Sequence, residues 1–191
     1  MHPTVAPQSF PARIKGLVAL TRPKQWVKNA FGFVPLVFAG EFLKLQSIQS
    51  VALAGLVFCV ASSATYVLND LHDIDRDRRH PTKSKSRPLA SALVPVPLAP
   101  AFLLFLYGVP LAAWFVMPPV LYVVYGYLLL NLAYTFVLKH QPVIDIFTIA
   151  IGFVLRVYAG AMALSVPVSS WMFVTTLCLA LYLAAVKRRQ E

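Results

Sequence analysis

The sequence predicts an all-α protein, a polytopic transmembrane helical bundle of about six spans, and three observations carry that expectation. Of its 191 residues 59% are hydrophobic, and mean hydropathy is +0.70, far above what one soluble core requires. Apolar runs of roughly 17 to 24 residues recur, each long enough to cross a ~30 Å hydrocarbon layer at ~1.5 Å rise per residue. Charged residues make up only 13% of the chain and cluster between those runs instead of covering a face.

Residues 1–13 are polar and Pro-rich, and a flexible N-terminus is expected through residue 15; the apolar stretch 16–20 is too short for a signal-peptide core. The spans then read as residues 30–45, 48–68, 93–117, 120–138, 143–164 and 171–186. Glu41 and Lys44 intrude near the end of the first, and Pro110 inside the third is expected to kink its helix. No repeat or low-complexity segment interrupts this pattern, so residues 1–191 read as a single membrane-embedded domain.

Placing the N-terminus inside orders the basic residues. Arg13, Lys15, Arg22, Lys24 and Lys28 fall inside, as do Arg76, Arg78, Arg79, Lys83, Lys85 and Arg87, then Lys139, then Lys187, Arg188 and Arg189. Lys44 alone falls outside, and Arg156 lies within the fifth span. That asymmetry supports both the span count and a cytoplasmic N-terminus in an inner or plasma membrane. The short outside turns at 118–119 and 165–169 carry no charge.

The formal charge of +10 raises the question of nucleic acid, but a nucleic-acid binder displays its charge on a soluble surface, and here the charge follows topology. Cys59 and Cys178 sit apart within apolar spans with no neighbouring ligand, and read as packing residues. His2, His72 and His80 carry no signal of their own, and His140 reads as an interfacial bystander.

Seven acidic residues occur in the chain, and four of them, Asp70, Asp73, Asp75 and Asp77, fall at the inner end of the second span. At ~100° per residue, Asp70, Asp73 and Asp77 lie within about 60° of one another; Asn69 joins their arc and Asp75 points away. Tyr66, Ser63 and Ser62 continue the stripe toward the membrane. Three carboxylates on one face repel where water is scarce, so a cation is expected among them. Mg²⁺ suits hard oxygens that share it with substrate phosphates. The bases at Arg78, Arg79, Lys83, Lys85 and Arg87 then face the anionic half of such a ligand.

A second polar set lies around the fifth span. Asp145 opens it, and Arg156 follows eleven residues on, close to three turns and about 16 Å deeper on the same face. That distance rules out direct contact between them, so Arg156 is expected to meet a substrate phosphate or a carboxylate on another helix. Thr148 and Gly152 line the face between. Arg22, Lys24 and Lys28, with Trp26, stand at the mouth of the first span, where headgroup anchoring and pocket lining are both open.

Asn69-Asp-Leu-His-Asp73-Ile-Asp-Arg-Asp77 fits NDxxDxxxD, and the chain thereby resembles the UbiA superfamily of intramembrane prenyltransferases. RPKQWVKN from Arg22, DRRHPTK from Asp77, RPLAS from Arg87, LKHQPVID from Leu138 and LRVYAG from Leu155 are similar to its decaprenyl-phosphate phosphoribosyltransferase branch. The resemblance implies Mg²⁺-dependent transfer of 5-phosphoribosyl from phosphoribosyl diphosphate to a polyprenyl phosphate. It implies that Asn69, Asp70, Asp73 and Asp77 hold the metal diphosphate, with Asp70, Asp73, Asp77 and Asp145 catalytic. Arg22, Lys28, Tyr66, Lys83, Arg87, Tyr134, Lys139 and Arg156 would bind substrate.

Aromatic-prenylating members carry a second DxxxD motif, whereas here Ile149 stands where the partner of Asp145 would fall, which favours the phosphoribosyl branch. Family members have about nine spans, so a C-terminally incomplete chain is expected. Two other readings stay open: prenyl transfer from a polyprenyl diphosphate to an aromatic acceptor, and a non-catalytic lipid-phosphate-binding membrane protein.

Overall fold

The computed structural model describes residues 10–190; residues 1–9 and 191, and with them most of the expected flexible N-terminus, lie outside the described part. Every regular element there is helical. Helix α1 (Phe10–Leu20) leads into an eleven-residue 3₁₀ helix, Pro23–Phe33, and α2 (Val34–Phe38). Then come α3 (Leu45–His72), α4 (Ile74–Arg79), α5 (Lys83–Ser86), α6 (Leu98–Ala113) and α7 (Pro118–Phe136). A short 3₁₀ turn, Leu138–His140, precedes α8 (Pro142–Leu164) and α9 (Ser170–Gln190). Residues 10–15, expected to belong to the flexible end, form the start of α1.

Leu45–His72, Pro118–Phe136 and Val143–Leu164 are long and apolar enough to cross a membrane, and Leu98–Ala113 and Ser170–Val186 are shorter apolar helices. With large apolar side chains such as Leu104, Phe105, Tyr122, Leu129 and Phe147 facing outward, the arrangement is that of a polytopic helical bundle, integral to the membrane.

The first span departs from the expectation of residues 30–45. The rod runs from Pro23 to Phe38, and residues 39–44 turn back. A 3₁₀ helix rises ~2.0 Å per residue against ~1.5 Å in an α-helix, so these sixteen residues reach about 30 Å. Gly40, at φ 69°, lies in the left-handed region that the turn requires. Glu41 accepts from Lys44 at 2.8 Å and from Ser47 at 2.9 Å, closing that turn. The same two bonds hold the Glu41 carboxyl below its ordinary value, Lys44 contributing most.

The third span also starts later than residue 93. Pro95, Pro97 and Pro100 supply no amide hydrogen, so α6 begins at Leu98. Conversely α3 outruns its expected end at residue 68 and carries Asn69 and Asp70 in its last turn.

Helix α8 lies at the centre, packed against α9, α7, α3, α2 and the long 3₁₀ helix. Ala54, Val57, Phe58 and Ala61 of α3 meet Val120, Leu121, Val124 and Tyr127 of α7 and Ala159 of α8 in one buried core. A second core joins Leu20, Ala64, Val67, Leu89, Val94, Ala99 and Leu106. The alanines let backbones approach where packing, not hydrophobic exclusion, holds helices together in lipid. Gly160 of α8 crosses Gly32 of the 3₁₀ helix closely: a Cβ on Gly160 would overlap the Gly32 carbonyl.

Candidate active site

Helix α3 ends at Asp73, whose φ of −94° and ψ of 9° bend the chain into α4. The hydrogen-bond ladder nevertheless continues, since the Asp73 amide donates to Asn69 at 2.9 Å and the Asp77 amide to Asp73 at 2.8 Å. The helical arc therefore survives the bend. Asp70 and Asp77 are buried, Asp73 is 19% exposed, and the Asp75 side chain is 84% exposed. Asp75 pairs outward with Arg78 at 3.9 Å, and Arg79 Nε donates to its carbonyl.

Three cations from distant segments meet the inward aspartates. Arg22, in the left-handed region at φ 51°, joins α1 to the 3₁₀ helix; its Nη2 donates to Asp70 Oδ1 at 2.5 Å and its guanidinium lies 4.9 Å from the centre of the Tyr66 ring. Arg87, just past α5, donates to the same Asp70 oxygen and lies 3.3 Å from Asp77 Oδ2. Lys139 Nζ donates to Asp73 Oδ1 at 2.6 Å. Lys83 stands half-buried on α5 and makes no ion pair with these aspartates among the described residues.

Beneath Tyr66 a cavity of ≈ 460 Å³ opens among the 3₁₀ helix, α3, α7, α8 and α9. Lys28 and Arg156 supply its cations, Tyr66, Tyr127 and Tyr134 its aromatic hydroxyls, and Thr148 and Gly152 line one wall. The aspartates do not line it; Tyr66 is the shared wall.

Arg156 is buried, and of the two expected partners, a substrate phosphate or a carboxylate on another helix, the carboxylate is not what it meets among the described residues. Nε donates to Asn29 Oδ1 at 2.8 Å, Nη1 to the Gly152 carbonyl at 2.6 Å and Nη2 to the Tyr127 hydroxyl at 3.1 Å. The guanidinium also stacks 4.8 Å from the Tyr127 ring centre. Neutral oxygens and aromatic faces satisfy its donors without cancelling its charge. Asp145 is separate from Arg156 and pairs instead with Arg188 of α9 at 3.2 Å.

A profile of the UbiA prenyltransferase family matches residues 33–189, most of the chain. The chain belongs to the UbiA prenyltransferase family. A decaprenyl-phosphate phosphoribosyltransferase of Mycobacterium tuberculosis is 37% identical over 183 residues, covering 93% of this chain and 60% of the relative. One from Corynebacterium glutamicum is 37% identical over 181 residues, 92% of this chain and 54% of that protein. This UbiA chain thus spans little more than half the length of the curated relatives it matches. Its fold matches a UbiA homolog from Archaeoglobus fulgidus, solved bound to DMAPP and Mg²⁺, with a TM-score of 0.68 at 22% identity over 87% of this chain and 60% of that one.

The donor set of this family member fits a divalent cation. Asn69 Oδ1, Asp70 Oδ2 and Asp77 Oδ2 are buried without a hydrogen-bond partner, all hard oxygens. Among the described residues no three carboxylates, histidines or cysteines close on one point. The expected set of Asn69, Asp70, Asp73 and Asp77 is therefore not gathered around one point, and Mg²⁺ here would take one or two of these carboxylates, with phosphates and water completing its shell.

Two contributors were absent from the sequence expectation. Asn29 was read only as the end of a segment for which headgroup anchoring and pocket lining both stayed open, and Arg188 only as topology. For Asn29 a signal exists: Trp26, Asn29 and Gly32 recur every three residues, one stripe of a 3₁₀ helix. Trp26 Nε1 donates to Ser63 at 3.1 Å, Asn29 Nδ2 to Ser62 at 3.3 Å, and Gly32 meets Gly160. Arg188 had no local signal, because its partner lies 43 positions away.

Proposed function

We propose that this chain catalyses Mg²⁺-dependent transfer of a 5-phosphoribosyl group from phosphoribosyl diphosphate to a polyprenyl phosphate. The observation that carries the reading is the aspartate cluster with its unbonded buried oxygens, set beside a cavity that holds the cations Lys28 and Arg156 among apolar side chains. The mycobacterial and corynebacterial relatives, named for this reaction, support the choice of donor and acceptor.

Asn69, Asp70, Asp73 and Asp77 would hold the metal, which when bound offsets the charge of the departing diphosphate. Arg22, Arg87 and Lys139 orient the diphosphate oxygens, and Lys83, on α5 just before Arg87, is assigned to the same anion. Lys28, Arg156, Tyr66 and Tyr134 position the acceptor phosphate. That phosphate is already anionic, so its oxygen attacks the ribose C1 as the C1–O bond to diphosphate breaks, and no general base is required. Asp145, held by Arg188, is assigned to the acceptor side. The basic loops support a cytoplasmic face of an inner or plasma membrane as the side on which this chemistry takes place.

The test is direct. Membranes carrying the chain receive labelled phosphoribosyl diphosphate with polyprenyl phosphate, and in parallel prenyl diphosphate with 4-hydroxybenzoate. Label entering the lipid fraction only in the first, and only with Mg²⁺, supports the proposal; prenylated benzoate replaces it with the aromatic reaction. Tight lipid-phosphate binding with no turnover in either leaves a non-catalytic binder.

A further inference from the structure

The aspartates assigned to Mg²⁺ already hold counter-ions. Arg87 bonds Asp70 and lies beside Asp77, Arg22 bonds the same Asp70 oxygen, and Lys139 bonds Asp73. Three carboxylates meet three cations, so the cluster is formally neutral before any ligand arrives. Asn69 Oδ1 and Asp70 Oδ2 are left without a partner, and Asp77 Oδ2 has only the Arg87 guanidinium at 3.3 Å, so a neutral but crowded site remains.

The geometry points to a site that refuses a bare divalent cation and accepts one only in company with a diphosphate. A lone Mg²⁺ would leave two uncompensated charges beside the Arg87 guanidinium, against Asp70 and Asp77 that are 1% and 3% exposed. Low local dielectric makes that arrangement costly. A diphosphate brings several negative charges of its own. Arg22, Arg87 and Lys139 then trade carboxylate oxygens for phosphate oxygens, a geometry that guanidinium groups match bidentately. The aspartates they release are free to take the metal. Cation and diphosphate therefore bind with positive coupling, and the coupling is reciprocal. This rests on reading the aspartate cluster as the metal–diphosphate site.

Equilibrium dialysis of the purified chain in detergent, with labelled manganese as probe, tests it with and without inorganic pyrophosphate. Wild type should bind manganese at least about tenfold more tightly when pyrophosphate is present, the equivalent of one partly screened charge pair. Arg87→Gln should bind manganese alone at least about tenfold more tightly than wild type, while Arg87→Lys, which keeps the charge, should not. If Arg87→Gln shows no cooperative melt, Lys139→Gln carries the same comparison at Asp73. Equal manganese binding by wild type with and without pyrophosphate overturns the exchange and leaves the metal site standing. No saturable manganese under either condition overturns the metal–diphosphate reading as well.

Discussion

Arg156 Nε donates to Asn29 Oδ1 at 2.8 Å, and through that bond the central helix α8 is fastened to the 3₁₀ helix. The Asn29 amide faces two ways. Its oxygen takes the guanidinium, and its nitrogen donates to Ser62 Oγ at 3.3 Å and Cys59 Sγ at 3.1 Å on α3. One buried side chain thus fixes three elements and holds a positive charge at the cavity wall. Replacing Asn29 by Ala removes the acceptor of a charged donor, a loss of about 1.5–3 kcal/mol. Thermal melts in detergent should show the lower stability. Asn29→Asp should regain stability by supplying a counter-charge, yet raise the KM for polyprenyl phosphate because the Arg156 charge is then neutralised. Equal KM values for the two variants would contradict the assignment of Arg156 to anion binding.

Gly160 tests the close crossing beneath that bond. A methyl group there would run into the Gly32 carbonyl, which belongs to backbone and has no rotamer by which to yield. Gly160→Ala should cost about 1–3 kcal/mol or more, the range for overpacking a filled interior. Gly108 on α6 has nothing within 4 Å of the equivalent position. Gly108→Ala should be neutral or stabilising by up to about 1 kcal/mol, since alanine is the better helix former. Comparing the two melting curves separates a packing requirement from a general intolerance of Gly substitution.

The legibility of this molecule followed the α-helical period. Asp70, Asp73, Asp77 and Asp75 were sorted inward and outward by 100° steps alone, because the hydrogen-bond ladder runs through the bend at Asp73. Where the period changes, the same reasoning failed. The first span was expected from residue 30, whereas the helical segment begins at Pro23; in a 3₁₀ helix the inward stripe is every third residue, and Asn29 lies on it. The proline-rich start of α6 shortened that helix from a region whose hydropathy alone looked continuous. Pairings such as Asp145 with Arg188 depend on how α8 and α9 dock, which no local pattern encodes.

That pairing makes its own prediction. Asp145 is 7% exposed at its side chain and has one oxygen without a hydrogen bond, whereas Arg188 is 41% exposed. Arg188→Ala strands a buried carboxylate, but solvent around the arginine screens the pair, so the expected loss is about 1–2 kcal/mol, below that of a fully buried pair. Asp145→Asn in the same background should recover much of it, because the stranded charge is gone. A double-mutant cycle on melting free energies that shows no coupling between the two positions would remove the pair from any account of how α9 is held.

Asp73 and Asp75 stand two residues apart and should behave as opposites. Asp73 points to the cluster, where Lys139 Nζ donates to it at 2.6 Å, and is exposed enough to exchange that partner for a ligand. Asp75 projects from the far side of α4 toward Arg78, a long contact of 3.9 Å between exposed groups that contributes little. Asparagine keeps the size of either side chain and removes only its charge, so folding is largely spared. Asp73→Asn should lower Mg²⁺-dependent turnover by about a hundredfold or more, the scale of losing a metal-site carboxylate. Asp75→Asn should stay within about twofold of wild type, as a surface change away from the site. Chelation by EDTA should abolish turnover in wild type and in Asp75→Asn alike, with recovery on adding Mg²⁺. The two substitutions share their chemistry and lie within one turn of each other, Asp73 at the cap of α4 and Asp75 inside it, and they differ in the side they face. Equal losses in both would therefore place the aspartates in a solvated charged surface instead of a ligand site.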